Sequence, residues 1–123
     1  MKLFKIPKIT SDDVVAGNFI WVDVSTLQDV LVTNTTCVFG GTGWTLTFTT
    51  DGTNAAESRA NAELLAANLT PLFLSYCGND VNRKESQSVY NLWAGLTTPE
   101  ISALYGIEKT GDLGNALVTL ALS

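Results

Sequence analysis

The sequence predicts an α+β fold, in which a mainly antiparallel β-sheet, sandwich-like or barrel-like, carries one main helix and short C-terminal helices. Two observations favour this class. Residues 44–49, WTLTFT, alternate between apolar and threonine side chains, which is the period of a strand with one buried face. After residue 54 the apolar spacing changes to about 3.6 residues, the helical period. No linker or repeat divides the chain, so we expect residues 1–123 to form a single domain.

Composition limits the functions that the chain can have. Only 15% of its residues are charged, whereas an average domain has about 25%. A surface so neutral suggests that large parts of it contact other protein. The net charge is −5, and lysines cluster only at positions 2, 5 and 8, so we expect no nucleic-acid partner.

The first residues do not resemble a targeting signal. The lysines at positions 2, 5 and 8 are followed by the polar stretch 10–13 instead of an apolar core with a cleavage site. No run approaches the roughly 20 apolar residues of a membrane helix. We therefore expect a protein that is made in a cytoplasm and has no membrane partner. In that setting Cys37 and Cys77 are expected to be buried free thiols.

The N-terminal half reads as strands. Residues 2–6 predict a first strand that lies at an edge or ends at Pro7, which has no amide proton. Residues 10–17 predict a loop. Residues 18–24 predict a strand that is apolar on both faces, with Phe19 and Trp21 on one face and Ile20 and Val22 on the other.

A further strand at 28–32 precedes a hairpin. We predict that residues 35–39 and 44–50 pair through a four-residue loop at 40–43, GGTG, in which glycine permits positive φ. A phosphate-binding loop would continue with a lysine and a helix, whereas this one continues with Trp44 and a strand.

The main helix is predicted over residues 55–68. Asn54 with Glu57 three residues later fits a capping box. We expect one face of this helix to pack on the sheet. Ala56, Ala60 and Leu64 form the centre of that face, and Leu65 and Ala67 widen it.

The C-terminal half is predicted from breakers and caps. Thr70-Pro71 is expected to end the main helix, and residues 72–77 to form a strand. Residues 89–96 fit a short helix closed by Gly95. A second short helix opens at Thr98-Pro99 and ends before Gly106, and residues 116–122 form a final strand.

The sequence contains no motif that identifies a reaction. It contains no histidine, so the commonest general base near neutral pH is missing. The best candidates for a nucleophile with a partner are Ser58 with Arg59 and Cys77 with Asp80. Pairs spaced like these are expected by chance in a chain rich in polar residues. Acidic residues at 12, 13, 23 and 29 do not match a calcium loop. We expect no enzyme activity, no cofactor and no metal site.

Large aromatic side chains are the candidate functional residues. One helix can cover only one face of the strand at 18–24, so Phe19 and Trp21 on the other face are free to meet another subunit. Trp93 is grouped with them as a further interface candidate. These three residues form the interface hypothesis.

The order of the first 70 residues resembles small β-rich proteins of tailed bacteriophages, particularly marine ones. The resemblance rests on Ile6-Pro7, the strands over 19–32, the threonine-rich hairpin at 35–50 and the helix at 54–69. It implies a virion-associated structural protein, above all a capsid decoration or cement protein that binds the major capsid protein or other virion proteins, and that forms homo-oligomers. A head–tail or tail accessory, a free-standing cellular binding module and, third, a small enzyme are the alternatives.

Overall fold

The computed structural model describes residues 3–10, 13–78, 89–109 and 116–123, with the backbone alone for 76–78. In these residues it confirms the α+β class. The elements are β1 (Leu3–Thr10), β2 (Asp13–Asp23), a 3₁₀ turn (Val24–Thr26), β3 (Leu27–Val32), β4 (Thr36–Gly41), β5 (Trp44–Thr50), α1 (Ala55–Gly78), β6 (Val89–Asn91), α2 (Thr98–Tyr105) and β7 (Leu117–Leu122).

All seven strands belong to one sheet. Its order is β2-β1-β7-β5-β4-β3, and β6 lies beside β1. Every pairing is antiparallel except that of β6 with β1. Strands β2 and β3 lie at opposite edges of the sheet, yet only the three-residue turn Val24–Thr26 joins them. Because three residues span only about 10 Å, the sheet must curl until its two edges meet at one end, as in an open barrel.

Helix α1 packs on the sheet and completes the core. It contacts β3, β4, β5 and the 3₁₀ turn. The ring of Phe73 packs edge-on against Phe4 and Phe39, with ring centroids 4.7 and 4.9 Å apart. All three rings are fully buried. A helix that fills the curl of the sheet explains how a chain of this size buries its apolar side chains.

The buried face of α1 differs from the predicted face. Ala56, Ala60, Leu64 and Ala67 are exposed, and only Leu65 was assigned correctly. The prediction counted apolar residues alone, whereas two buried positions are polar and hydrogen-bonded. The buried residues of α1 are Ser58, Asn61, Ala62, Leu65, Leu69 and Phe73.

The predicted end of α1 at Thr70-Pro71 is wrong, and so is the strand at 72–77. The helix continues through Pro71 to Gly78. A proline inside a helix removes one backbone hydrogen bond and crowds the carbonyl four residues earlier, here that of Ala67. Pro71 itself is exposed, whereas Leu69 and Phe73 on either side of it are fully buried. Tertiary packing of those two side chains therefore outweighs the local cost of proline.

The first strand also passes through its proline. Strand β1 runs on to Thr10, and β2 begins at Asp13, so the loop predicted at 10–17 is wrong. The carbonyl of Lys5 accepts from the Leu92 amide on the side of β6. Lys5 and Pro7 are two residues apart, so their backbone groups point to the same side of β1. Strand β6 pairs with residues 3–5 of β1, so the position where an amide proton of residue 7 would lie is beyond the end of β6. No ladder hydrogen bond to β6 is lost there.

The central hairpin is confirmed, with a shorter turn than predicted. Strands β4 and β5 pair from Thr36↔Thr49 to Gly41↔Trp44, and only Thr42 and Gly43 lie between them. Gly43 has φ of 80°, which suits glycine. A side chain at Gly41 would overlap the indole of Trp44.

The C-terminal elements are partly as predicted. The helix α2 is confirmed, with Thr97 and Glu100 forming a capping box and Gly106 in the left-handed conformation at its end. The last strand, β7, is confirmed within one residue. The helix predicted at 89–96 is wrong, because Val89–Asn91 pairs with β1 as strand β6 and a turn follows.

Candidate binding surface

Strand β2 has one buried and one exposed apolar face. Ile20 and Val22 are 7% and 2% exposed and face the core. Phe19 and Trp21 are 43% and 49% exposed on the opposite face. The structure thus brings together two of the three residues of the interface hypothesis. Large aromatic side chains left this open are unusual unless a binding partner covers them.

Lys5 lies across the two exposed rings. It is the register partner of Trp21 in the β1–β2 pairing. Its Nζ atom lies 4.1 Å from the centroid of the Phe19 ring and 5.5 Å from that of Trp21, both within cation–π range. Lys5, Phe19 and Trp21 together are called the aromatic patch below. No local sequence pattern signals a cross-strand cation–π contact of this kind.

Trp93, the third residue of the interface hypothesis, lies in the core of the chain. Its side chain is only 4% exposed. The indole Nε1 donates a hydrogen bond of 2.7 Å to the hydroxyl of Tyr105, and its ring packs edge-on against Phe48 at 5.9 Å. A buried Trp is stable only when its N–H finds an acceptor, and Tyr105 supplies it. Trp93 is therefore a core residue that ties the turn after β6 to α2.

A groove of about 240 Å³ lies beside the aromatic patch. It is lined by residues 14–17 of β2, by Asn91 at the end of β6 and residues 92–96 after it, and by Lys5, Pro7 and Phe19. We call it the β2 groove. Apart from Lys5 and Asn91 its lining side chains are apolar or glycine.

A second, shallower depression of about 460 Å³ lies on the other side of the patch. Lys8, Asn18, Ala121 and Leu122 line it together with residues 19–21. Phe19 and Trp21 border this depression, and Phe19 also borders the β2 groove. An exposed aromatic pair beside concave surface is an arrangement that a pocketed protein partner can enclose.

The groups considered for catalysis have structural roles where they are described. The hydroxyl of Ser58 donates to the carbonyls of Asn34 and Ala55, and Arg59 forms an ion pair of 3.1 Å with Glu63. The pair Ser58 and Arg59 therefore lacks the base that a nucleophile needs. The pair of Cys77 and Asp80 lies outside the described side chains.

Titratable groups with shifted pKa values lie away from the patch. Burial raises the pKa of the Cys37 thiol to about 12, opposite to the change that activates a cysteine. Hydrogen bonds from the backbone and hydroxyl of Thr97 lower the pKa of Glu100, and burial raises that of Tyr105. In the ranges described above, no three Cys, Asp or Glu side chains are grouped closely enough to hold a metal ion.

Comparison with known proteins finds no matching family model, no matching curated protein and no matching solved structure. Neither helix of the described part of the chain has the length and apolar character needed to cross a membrane.

Proposed function

We propose that the protein is a non-enzymatic structural subunit that binds other protein through the aromatic patch. The setting that we propose is a bacteriophage virion, where it acts as a capsid decoration or cement protein on the major capsid protein. One observation carries the binding role: Phe19 and Trp21 are about half exposed on a strand whose other face is buried. The virion setting is supported by the resemblance of the first 70 residues.

The size of the patch indicates how it would contribute. A Phe or Trp side chain buries about 150–250 Å² when fully covered, so the exposed halves of this pair offer about 200 Å². At 25 cal/mol per Å² their burial contributes about 5 kcal/mol. A standard interface covers about 800 Å² on each partner, so the surrounding surface must also contact the partner. The patch is therefore the anchor of an interface that spreads over the shallow depression beside it.

The test is binding to shells assembled from the major capsid protein of the phage that encodes the chain. The variant Phe19→Ser/Trp21→Ser should lose co-sedimentation with the shells, while its thermal unfolding stays close to that of the wild type. The control Leu31→Ser/Leu104→Ser removes two side chains that are 59% and 60% exposed elsewhere, and it should bind normally. Equal binding by both variants would contradict the role of the patch.

Self-association is a second measurement. We propose that the protein forms homo-oligomers, which sedimentation velocity would detect as a species larger than 13.2 kDa. A head–tail or tail accessory would use the same patch on a different partner, and binding to purified tails in place of shells identifies it.

The β2 groove favours a second candidate, a free-standing binding module. Such a protein would be monomeric and would bind neither shells nor tails. Its concave, mostly apolar groove would then be the functional site.

A further inference from the structure

The β2 groove is lined by one charged residue and mostly apolar side chains. Lys5 is its single charged lining residue, and no carboxylate lines it. Val14, Val15 and Leu96 are among the apolar side chains that form its walls. A groove of this composition favours a molecule that is apolar along its length.

Charge complementarity points to an anionic end group. The chain has 12 acidic and only seven basic residues, yet no acidic residue lines the groove beside Lys5. In the part of the chain that the structure describes, Lys5 forms no ion pair, and its ammonium group lies against the rings of Phe19 and Trp21. An ammonium group held by aromatic faces keeps its charge available to an anion on its open side.

The polar groups of the groove help to distinguish a peptide from an aliphatic carboxylate as the molecule that binds there. A peptide in the groove would bring an amide at every residue, and Lys5 and Asn91 are the only polar side chains in the lining, so a peptide would have to pair with the backbone of the edge strand β2. Buried amides without partners are costly, so a peptide that does not extend the sheet at β2 is disfavoured. An aliphatic carboxylate carries all of its hydrogen-bonding groups at one end, which matches the one-sided polarity of the groove.

We propose that the β2 groove binds a free medium-chain fatty acid, with its carboxylate at the Nζ atom of Lys5 and its chain along residues 14–17 and 92–96. The volume of about 240 Å³ corresponds to about eight groups the size of a water molecule, at ~30 Å³ each. Octanoate, which has eight carbons, is therefore the chain length that fits.

The wall of the groove is built before any ligand arrives. Trp93 has φ of 60°, and it is the one residue other than glycine at positive φ in the described ranges. Gly95 two residues later has φ of 75°. The hydrogen bond from Trp93 to Tyr105 holds this turn against α2. Unusual backbone conformations of this kind persist where the surrounding structure fixes them, and they are frequent at ligand sites. The fatty-acid site does not rest on the virion role.

The experiment is an amide chemical-shift titration of the full chain with sodium octanoate. We expect saturable shifts confined to residues 14–19 and 91–96. Shortening the ligand to hexanoate removes two methylenes and should weaken binding roughly tenfold. Decanoate should gain no more than about twofold over octanoate, because the groove is then full.

Two variants of Lys5, one control variant and one neutral ligand test the role of the Lys5 charge. Lys5→Met keeps an apolar stem and should weaken octanoate binding about fivefold to tenfold, whereas Lys5→Arg should retain it. Lys8→Met, on the same strand but not lining the groove, is the matched control and should bind as the wild type does. The alcohol 1-octanol should bind as weakly to the wild type as octanoate does to Lys5→Met.

Filling the groove gives an independent test. Ala16 lines it and is exposed, so Ala16→Phe should fold normally and abolish octanoate binding. The proposal is overturned if octanoate gives no saturable shifts at 10 mM (about the weakest affinity worth assigning to a site). It is equally overturned if the shifts lie elsewhere, or if Lys5→Met and Lys8→Met bind octanoate alike.

Discussion

Asn61 is the residue that joins three separate parts of the chain. Its Nδ2 atom donates to the backbone carbonyls of Asp51 and Glu108 at 2.9 and 2.8 Å, and its Oδ1 accepts from the Glu108 amide at 3.3 Å. An ion pair of 2.8 Å between Lys109 and Asp51 closes the same junction. Asn61 is 3% exposed, so these bonds are formed away from water. Helix α1 is thereby fixed to the end of β5 and to the segment after α2.

We predict that Asn61→Ala lowers the free energy of unfolding by about 2 to 4 kcal/mol, because it leaves buried backbone groups without partners. Asn68→Ala is the control on the same helix, since Asn68 is exposed and bonds only to the carbonyl of Leu64. It should change stability by less than about 0.5 kcal/mol. Urea unfolding of the two variants measures both effects, and equal losses would show that the Asn61 bonds contribute nothing beyond helix propensity.

Two hydroxyl groups in α2 differ from the buried Asn61 side chain in their hydrogen bonding. The Oγ1 of Thr98 and the Oγ of Ser102 are buried without a hydrogen-bond partner. We predict that Thr98→Val and Ser102→Ala each raise the free energy of unfolding by about 0.5 to 1 kcal/mol, because they remove an unsatisfied polar group. Ser58→Ala, which removes a bonded hydroxyl, should lower it by about 1 kcal/mol. Thermal unfolding would contradict this account if all three changes had the same sign.

Cys37 makes stability depend on alkaline pH. Burial raises the pKa of its thiol from an ordinary 9.0 to about 12. The unfolded chain therefore loses this proton near pH 9 while the folded chain keeps it. The stability that Cys37 contributes is complete below pH 9 and is lost progressively as the pH rises toward 12.

We predict that a Cys77→Ser chain loses stability more steeply between pH 9 and 11 than a Cys37→Ala/Cys77→Ser chain. The comparison cancels the titration of lysine and tyrosine, which both chains share. Urea unfolding across this pH range gives the two slopes. Parallel slopes would mean that the Cys37 thiol ionises in the folded protein as readily as in the unfolded one.

At the scale of elements, α1 shows how packing overrides a local signal. Its 24 residues include Pro71 in the third-to-last turn, and the helix continues because Phe73 beyond the proline packs between Phe4 and Phe39. Burying an aromatic side chain of this size contributes about 1.5 to 3 kcal/mol, which is comparable to the cost of an interior proline. The burial of Leu69 adds to this gain, so packing on the sheet outweighs the cost of the proline.

We predict that Pro71→Ala raises the free energy of unfolding by about 1 to 3 kcal/mol, because it restores the hydrogen bond to the Ala67 carbonyl. Ala60→Pro, at an exposed interior position of the same helix, should lower it by about 3 kcal/mol or more. Circular dichroism during urea unfolding measures both. A Pro71→Ala chain less stable than the wild type would indicate that the proline shapes α1 for its packing on the sheet.

At the scale of the whole molecule, the curled sheet leaves the aromatic patch on the outer face of β1 and β2. The inner rows of both strands meet Phe73 and the rest of the core, so their outer rows remain the surface that a partner can use. Phe19 and Trp21 contribute little to this core because about half of each side chain lies in solvent. Folding and binding therefore depend on different faces of the same strand.

We predict that Trp21→Ala changes the free energy of unfolding by less than about 1 kcal/mol, whereas Phe39→Ala in the core lowers it by about 3 to 5 kcal/mol. Thermal unfolding of the isolated variants measures this difference. In shell binding, Trp21→Ala should be the defective variant. A Trp21→Ala chain that unfolds at ordinary temperature would make Trp21 a core residue and remove the interface proposal.

Local sequence patterns were enough to predict the fold class, the hairpin, the helix α2 and the last strand. Each of these depends on a local rule: the two-residue period of residues 44–49, the glycine in the turn, the proline in the first turn of α2 and the glycine at its end. It also identified Phe19 and Trp21 as one face of a strand, because side chains alternate along extended backbone. Local periodicity and capping act within a few residues, so they can be recognised from the sequence alone.

Only the tertiary structure decided the buried face of α1, its passage through Pro71, the strand at Asp13–Asp23 and the burial of Trp93. Polar Asn61 is buried because Asp51 and Glu108 supply its partners from distant parts of the chain. Trp93 lies inside because Tyr105 accepts its N–H. Lys5 meets the two aromatic rings because β1 and β2 pair in a register that local spacing does not encode. Each of these outcomes depends on contacts between residues far apart in sequence, and those contacts exist only once the sheet has curled around its helix.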